Sequence, residues 1–367
     1  MLSHLNCTRC ELCESADAIL GNDRVVRGLL LIQLFFVPLA ILITALKILS
    51  IVLAKGLHIH QRLLLIAFAS AVLVANIGAF LSCIYQLYTG HFIEEDDRCD
   101  WQIFRAESSL GLKYVYIIGL LGMALGPIIL VTERIVACVR LENYRRNYAL
   151  LAGVLAIYIL LSTGWLFLDL TSSEQIFPYA AVELYAGQLC LDAVEFLFGT
   201  NALATFLVLF LWVFNNSRML NTPTRALAEA KNASKALLPT ALIVLLITFS
   251  SLLVLKNCLP LYDDETYIDR KVLHDVEAYA AWAEFQVTIL PIGTCLLWAL
   301  FLYIFEPVSQ SFCRITGFSM CLGADHSRLN TSNFTADPSN LSFSFDASSN
   351  SSKMHIESLS TSRSNSS

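Results

Sequence analysis

The stretch GLLGMALGPIILVTERIVAC, at residues 119–138, is an apolar run in which the charged pair Glu133-Arg134 is followed by one further apolar turn. It belongs to one of seven apolar segments that follow one another between residues 28 and 305. Each segment has about 20 residues or more, and a helix of that length crosses the hydrocarbon core of a bilayer. The predicted spans are residues 28–54, 63–88, 109–139, 148–170, 193–214, 236–255 and 279–305.

The composition agrees with a protein that spans a membrane. Hydrophobic residues make up 56% of the chain, charged residues only 15%, and the mean hydropathy is +0.62. A soluble domain of this composition would leave large apolar faces in water. The spans are continuous runs of Leu, Ile, Val and Ala, whereas the strands of a membrane barrel alternate apolar and polar residues. The sequence therefore predicts an all-α fold, a bundle of seven transmembrane helices.

Lysine and arginine residues in the short loops indicate which end of the bundle faces the cytoplasm. Of the six loops between the spans, the first, third and fifth together hold nine Lys and Arg residues, and the second, fourth and sixth together hold four. The N-terminus is therefore predicted outside, although Arg9, Arg24 and Arg27 precede the first span. Residues 1–27 are then an extracellular tail, and Asn6 of Asn-Cys-Thr is a predicted glycosylation site. The loops predicted inside are 55–62, 140–147 and 215–235, and those predicted outside are 89–108, 171–192 and 257–278.

The chain changes character after the bundle of residues 28–305. Residues 306–324 form a juxtamembrane segment, a candidate amphipathic helix, in which Cys313 and Cys321 are either palmitoylated or reduced cytosolic thiols. Residues 325–367 are rich in Ser, Asn and Thr and have little apolar content, so they are predicted to be a disordered cytoplasmic tail. Phosphate groups on this tail would recruit an arrestin-like protein.

Several classes of membrane protein require residues that the predicted spans lack. A heptahelical zinc hydrolase needs His and acidic ligands in its spans, and all seven histidines lie outside them. A retinal-binding opsin needs a Lys in the seventh span, and residues 279–305 contain none. A transporter would be supported by internal repeats or paired broken helices, and the two halves of the chain are not similar. We therefore expect no enzyme activity, cofactor, metal ion or nucleic-acid partner.

Glu133-Arg134-x-x-Ala137, followed by Tyr144 and the basic pair Arg145-Arg146, resembles the third-helix signature of nematode serpentine chemoreceptors. Within that group it is most similar to the Sra superfamily, particularly the epsilon and ab classes. The resemblance implies a rhodopsin-like G-protein-coupled receptor in the plasma membrane of sensory neurons. Such a receptor would detect an external small molecule or peptide and bind a heterotrimeric G protein.

The chain departs from the broader rhodopsin-like pattern in three spans. Asn76 stands where an Asp is usual in the second span, and the sixth span has no Cys-Trp-x-Pro motif. The seventh span ends Tyr303-Ile304-Phe305-Glu306-Pro307 rather than Asn-Pro-x-x-Tyr. These departures fit a divergent family and argue against regulation by a sodium ion.

The same resemblance implies that Glu133 and Arg134 form the switch on which such receptors depend. Glu133 would neutralise Arg134 while the bundle is closed, and outward movement of the sixth helix would free the guanidinium to face a G protein. Tyr144, Arg145 and Arg146 belong to the same predicted G-protein surface. The alternative is that Glu133 and Arg134 are ordinary helix-end charges that extend toward water.

Six of the eleven cysteines fall on the predicted outer side, where disulfides form. Rhodopsin-like receptors tie the second outer loop to the start of the third helix, and the resemblance assigns that disulfide to Cys99 and Cys190. Cys7, Cys10 and Cys13 have the spacing C-x2-C-x2-C, but with only His4 nearby they make a poor zinc site. We expect disulfides in this tail instead, with Cys258 as one candidate partner.

Ionisable side chains are costly inside a membrane, so those in the outer halves of the spans are candidate ligand contacts. The acidic outer loops would draw a cationic or polar ligand inward, or they are simply solvated loop surface. Glu284 has a structural alternative as well, a pair with Lys113 inside the bundle. The candidates are Glu107 and Lys113 on the third span, Asp169 on the fourth, Asp192 and Glu195 on the fifth, and Trp282 and Glu284 on the seventh.

Five Asn-x-Ser/Thr tripeptides in residues 325–367 favour the opposite orientation, because they match the glycosylation acceptor pattern of external segments. A segment so rich in Asn, Ser and Thr also produces this tripeptide by composition alone. The alternative function is therefore an inverted heptahelical receptor that is a ligand-gated channel, as in insect odorant receptors. A transporter is a further alternative.

Overall fold

The structure is a computed structural model that describes residues 11–54, 59–93, 101–139, 148–163, 176–185, 187–221, 225–260 and 270–316. A helical segment at residues 11–22 precedes seven longer helices and one short helix in these ranges. They are α1 (Arg24–Leu53), α2 (Ile59–His91), α3 (Ala106–Val139), α4 (Tyr148–Thr163), α5 (Gly187–Asn221), α6 (Arg225–Cys258), α7 (Arg270–Ile304) and α8 (Glu306–Thr316).

Helices α1 to α7 correspond one to one to the predicted spans. Six of them are long and apolar enough to cross a membrane within the described ranges, and α4 adds an apolar helix of 16 residues. Large apolar side chains such as Phe35, Phe206 and Leu246 are exposed on the outside of the bundle, where lipid takes the place of water. The predicted all-α bundle of seven transmembrane helices is confirmed.

Except for α4, the observed helices extend beyond the predicted spans at one end or both. The largest difference is in α6, which begins at Arg225 although the predicted span begins at residue 236. The intervening sequence, ALAEAKNASK, has four Ala, two Lys, one Leu and one Glu, all of which are good helix formers. Hydropathy marks only the part of a helix that lies in hydrocarbon, and the helix continues into the polar interface.

Helices α2 and α3 approach each other closely because both present glycine at the contact. A Cβ atom on Gly119 would lie 2.1 Å from the backbone nitrogen of Ala75, and one on Gly78 would lie 2.2 Å from the backbone nitrogen of Tyr116. Small residues that allow such backbone contact are a common means of packing helices in membranes. The contact places α3 in the middle of the bundle, against α2, α4, α5 and α6.

Polar side chains join α7 to α1 and α2 inside the apolar core. The Trp298 indole N–H donates to Thr44 Oγ1 at 2.8 Å, and the Asn76 amide donates to Thr294 Oγ1 at 3.2 Å. Trp298 also meets the ring of Phe68 edge-on, at 6.1 Å between centroids. Hydrogen bonds of this kind between transmembrane helices contribute about 0.6 to 2 kcal/mol each.

One end of the bundle is covered by two segments, and we call it the capped end. The first is the helical segment at residues 11–22, which we call the N-terminal segment and in which Leu12, Ala16, Ile19 and Leu20 are buried. The second, residues 176–185, we call the cap segment; its strand β2 (Ile176–Phe177) pairs antiparallel with β1 (Phe104–Arg105) just before α3. This two-residue ladder does not alter the all-α class, but it fixes the cap segment over the bundle.

The opposite end, which we call the α8 end, is where α7 passes into α8. The Phe305 carbonyl accepts from the backbone nitrogens of Val308 (3.2 Å) and Ser309 (3.0 Å), so the first turn of α8 follows directly on Phe305. Val308 and Ser311 are buried on the face of α8 that packs against α1 and α7. Residues 317–367, with Cys321 and the five tail glycosylation motifs, lie outside the described residues, as does Asn6.

Candidate functional site

Glu284 of α7 is the centre of a buried polar network near the capped end. Its side chain is 1% exposed. Glu284 Oε2 accepts from Gln33 Nε2 of α1 at 2.8 Å. Glu284 Oε1 accepts from Gln86 Nε2 of α2 at 2.9 Å and from the Tyr179 hydroxyl of the cap segment at 2.6 Å. One carboxylate therefore binds two helices and the cap segment to α7.

Lys113 of α3 faces the same carboxylate, so two of the predicted ligand contacts lie together. Lys113 Nζ is 4.0 Å from Glu284 Oε1 and lies over the ring of Tyr179, 5.9 Å from its centroid. Both side chains are buried. This is the ion pair that the sequence offered as the structural alternative for Glu284, and it stands at the edge of a cavity.

The cavity lies between α3, α7 and the cap segment. It is narrow: about 20 Å³ is open to the centres of water molecules, which is room for roughly one water. A ligand of any larger size would have to widen it. The polar side chains that line it are those of Lys113, Tyr116, Tyr179, Glu183, Tyr279 and Gln286.

The cap segment contributes phenols that remain protonated. Burial, followed by the charge of Glu284, raises the pKa of Tyr179 well above its usual range, so this hydroxyl donates to the carboxylate. Burial raises the pKa of Tyr185 to about 12, and its hydroxyl donates to the Phe104 carbonyl at 2.7 Å. The hydrogen bond from Tyr185 reinforces the β1–β2 ladder on the same segment.

The other predicted ligand contacts whose side chains are described lie away from this cavity. Asp192 is exposed and accepts from Gln188 Nε2 at 2.9 Å, and Glu195 forms an exposed pair with Lys256 at 3.4 Å. Trp282 is 51% exposed, because two residues before Glu284 is about 200° around the helix. The side chain of Glu107 and the whole of Asp169 lie outside the described residues.

The predicted Cys99–Cys190 disulfide is not formed in the structure. Cys190 lies in the first turn of α5 with a buried, free thiol, and Cys258 is also free. Cys13 of the N-terminal segment is disulfide-bonded instead. The spacing rule of rhodopsin-like receptors fails here because Cys190 already belongs to a helix and faces its packed side, rather than standing in a loop.

The predicted switch pair is formed at the α8 end. Arg134 donates from Nε and Nη2 to the two carboxylate oxygens of Glu133, and Glu133 is buried. Pro127 lies two turns earlier within α3, where it removes one backbone hydrogen bond. Tyr144, Arg145 and Arg146 belong to residues 140–147, which lie outside the described residues.

Sequence reasoning missed several members of these sites. Gln33 and Gln86 are polar residues within apolar spans, so the cost of burying a polar group is a signal that would have found them. Tyr179 and Glu183 belong to a loop and give no such signal. At the α8 end, the fully buried Lys47 ammonium lies over the rings of Phe301 (5.1 Å) and Phe312 (5.7 Å).

One family model matches the chain, over residues 12–235, and its description is serpentine type 7TM GPCR receptor class ab chemoreceptor. The match covers well over half of the chain, from the N-terminal segment through α1 to α5 and into α6. It therefore includes Lys113 and Glu133-Arg134. No curated protein matches the chain.

Proposed function

Because the chain belongs to the family of serpentine class ab chemoreceptors, we propose that it binds an external chemical at the capped end and signals through Glu133 and Arg134 at the α8 end. The family is one of multi-pass seven-helix receptors and not of enzymes, which supports a chemosensory role. The G-protein step, the ligand site and a place in the plasma membrane of sensory neurons are the finer parts of this proposal.

The main observation in support of the proposal is that α3 contributes residues both to the cavity at the capped end and to the Glu133–Arg134 pair at the α8 end. Lys113 lies near the start of α3 and Arg134 near its end, a separation of about 31 Å at 1.5 Å per residue. A ligand that alters the Lys113–Glu284 pair would act directly on α3. Pro127 supplies a point between the two sites at which the helix can bend.

The proposed orientation has the capped end outside. The excess of Lys and Arg in the loops of the α8 end supports it, with nine residues against four. Residues 1–27 are then extracellular, with a glycan on Asn6, and residues 325–367 are cytoplasmic. Phosphorylation of Ser and Thr in that tail would create the binding site for an arrestin-like protein.

The proposed switch begins from the paired state that the structure describes. Glu133 neutralises Arg134, and opening of the α8 end exposes the guanidinium to a heterotrimeric G protein. Tyr144, Arg145 and Arg146 extend this surface into the next loop. A coupling free energy of about 1–3 kcal/mol between the two ends is enough for such regulation.

The test uses Glu133→Gln, which weakens the hold on Arg134. G-protein activation is measured in cells as the loss of resonance energy transfer between labelled G-protein subunits when they dissociate. This variant is expected to raise the activation measured without ligand about fivefold or more. Adding Arg134→Ala should abolish the increase. Glu195→Gln, which removes the same charge from an exposed pair, is the matched control. Signalling by the double variant at the level of Glu133→Gln would refute the switch.

The tail glycosylation motifs favour the inverted channel-type receptor as the second candidate function. Electrophoretic mobility before and after glycosidase treatment separates the two candidates. A shift that is lost in Asn6→Gln supports an external N-terminus and the G-protein proposal. A shift that is lost only when all five tail motifs are removed would put Arg134 on the outer side, and ligand-gated current would then be the activity to measure.

A further inference from the structure

Glu183 is the charged group in the cavity that has no counter-charge. It lies in the single helical turn Val182–Leu184 of the cap segment, partly exposed, and lines the cavity. Among the residues that the structure describes, no cation or hydrogen-bond donor contacts its carboxylate. An ionised carboxylate only accepts hydrogen bonds, so Glu183 is free to accept from a cation bound in the cavity.

The other charges at the cavity do not leave room for an anion. Glu284 is matched by Lys113 and by hydrogen bonds from Gln33, Gln86 and Tyr179. Lys113 and Glu284 together are neutral, so Glu183 leaves one net negative charge among the described residues at the cavity. An anionic ligand at Lys113 would add a second unmatched negative charge to the cavity, and its repulsion by Glu183 would weaken its binding.

The uncharged lining of the cavity also suits an organic cation. Tyr116, Tyr179 and Tyr279 bring three aromatic rings to its wall. Aromatic rings attract ammonium groups through their negative faces. Gln286 donates its amide N–H to Ser251 Oγ at 3.0 Å, which leaves its amide oxygen available as an acceptor at the cavity. Carboxylate, amide oxygen and aromatic faces are the groups that bind a protonated amine.

We propose that the ligand is a small organic amine in its ammonium form, bound by the Glu183 carboxylate and the Gln286 amide oxygen with its apolar part against the tyrosine rings. This inference rests on the proposed function, since it names the chemical class of ligand for the same cavity. Because the cavity has room for only about one water, it must widen to admit the amine. Binding of the amine and widening of the cavity are therefore one event.

The test measures binding to the purified full chain in lipid nanodiscs by ligand-dependent thermal stabilisation. The probes are two sets, each with one carbon skeleton: 2-phenylethylamine with 2-phenylethanol and phenylacetate, and isobutylamine with isobutanol and isobutyrate. Amines are expected to stabilise the protein at lower concentration than the alcohol or carboxylate of their set. Glu183→Gln should weaken amine binding at least tenfold, and Glu195→Gln, an exposed carboxylate outside the cavity, should leave it unchanged.

Three results would overturn the inference: no binding of either amine, equal or tighter binding of a matched alcohol or carboxylate, or unchanged amine affinity in Glu183→Gln. The unfolding midpoint of each variant without ligand shows whether it is folded. If a carboxylate binds more tightly than the amine of its set and also activates the G protein, the proposed ligand class is refuted and the receptor function stands. Amine binding that depends on Glu183, without any signal that depends on Arg134, would instead refute the signalling proposal and leave the site.

Discussion

At the scale of single residues, the Lys113–Glu284 pair and its hydrogen bonds connect α1, α2, α3 and the cap segment to α7 at the capped end. Replacing Glu284 by Gln keeps the shape of the side chain but removes the charge opposite Lys113 and one of the acceptors for Gln33, Gln86 and Tyr179. Loss of one partner of a buried ion pair costs about 3–5 kcal/mol. Glu284→Gln should therefore lower the unfolding midpoint of the purified protein strongly.

The controls for that prediction come from the same bundle. Glu195→Gln breaks an exposed pair with Lys256, which is worth about 0–1 kcal/mol, so its midpoint should change little. Adding Lys113→Met to Glu284→Gln removes the unpaired ammonium and should restore part of the lost stability. If Glu284→Gln is as stable as Glu195→Gln, the network does not hold the capped end together.

The same residues show how far the sequence predicts a site. The rule that charges are costly in a membrane found Lys113 and Glu284, but it also selected Asp192 and Glu195, which lie exposed on α5. Hydropathy gives the depth of a residue and not the face of the helix on which it lies. Tyr179 and Glu183 reach the cavity only because the cap segment pairs with residues more than 70 positions away, and that pairing has no local signal.

At the scale of elements, the helices themselves were predictable because each apolar run must satisfy its backbone hydrogen bonds internally. Their ends were not, as the early start of α6 at Arg225 shows. The contact between α2 and α3 was also hidden, since glycine in an apolar run is not by itself a signal of backbone contact. Only the structure shows that Gly78 of α2 contacts α3 and that Gly119 of α3 contacts α2. A Cβ built on Gly153 meets nothing within 4 Å.

That contact yields a prediction with a matched control. A Cβ on Gly119 would lie 2.1 Å from the backbone of Ala75, so Gly119→Ala must push α2 and α3 apart. Overpacking of this kind costs about 1–3 kcal/mol and occasionally more. Gly153→Ala in α4 meets nothing within 4 Å and should be neutral or slightly stabilising. Equal unfolding midpoints for the two variants would contradict the close approach of α2 and α3.

At the scale of the whole molecule, the cavity is closed on one side by the cap segment, at the end of the bundle that the N-terminal segment also covers, and it has room for no large ligand as it stands. Ligand entry from outside therefore requires the capped end to loosen, whereas entry from the bilayer would pass between helices. The two routes differ in whether the N-terminal segment must leave α2. Leu20 of that segment and Gly90 of α2 lie in contact, which makes the distinction testable.

A Cβ built on Gly90 lies 3.6 Å from Leu20 Cβ, within the range of a disulfide. The double variant Leu20→Cys/Gly90→Cys is expected to form this bond on oxidation and to gain about 2–4 kcal/mol of stability. If the amine enters through the capped end, its association with the oxidised variant should be slow and should recover when a reductant is added. Leu20→Cys alone, given the same reductant, controls for reduction of the native disulfide at Cys13. Association at the wild-type rate with the disulfide intact would mean that the N-terminal segment does not gate the cavity and that the amine arrives laterally between helices.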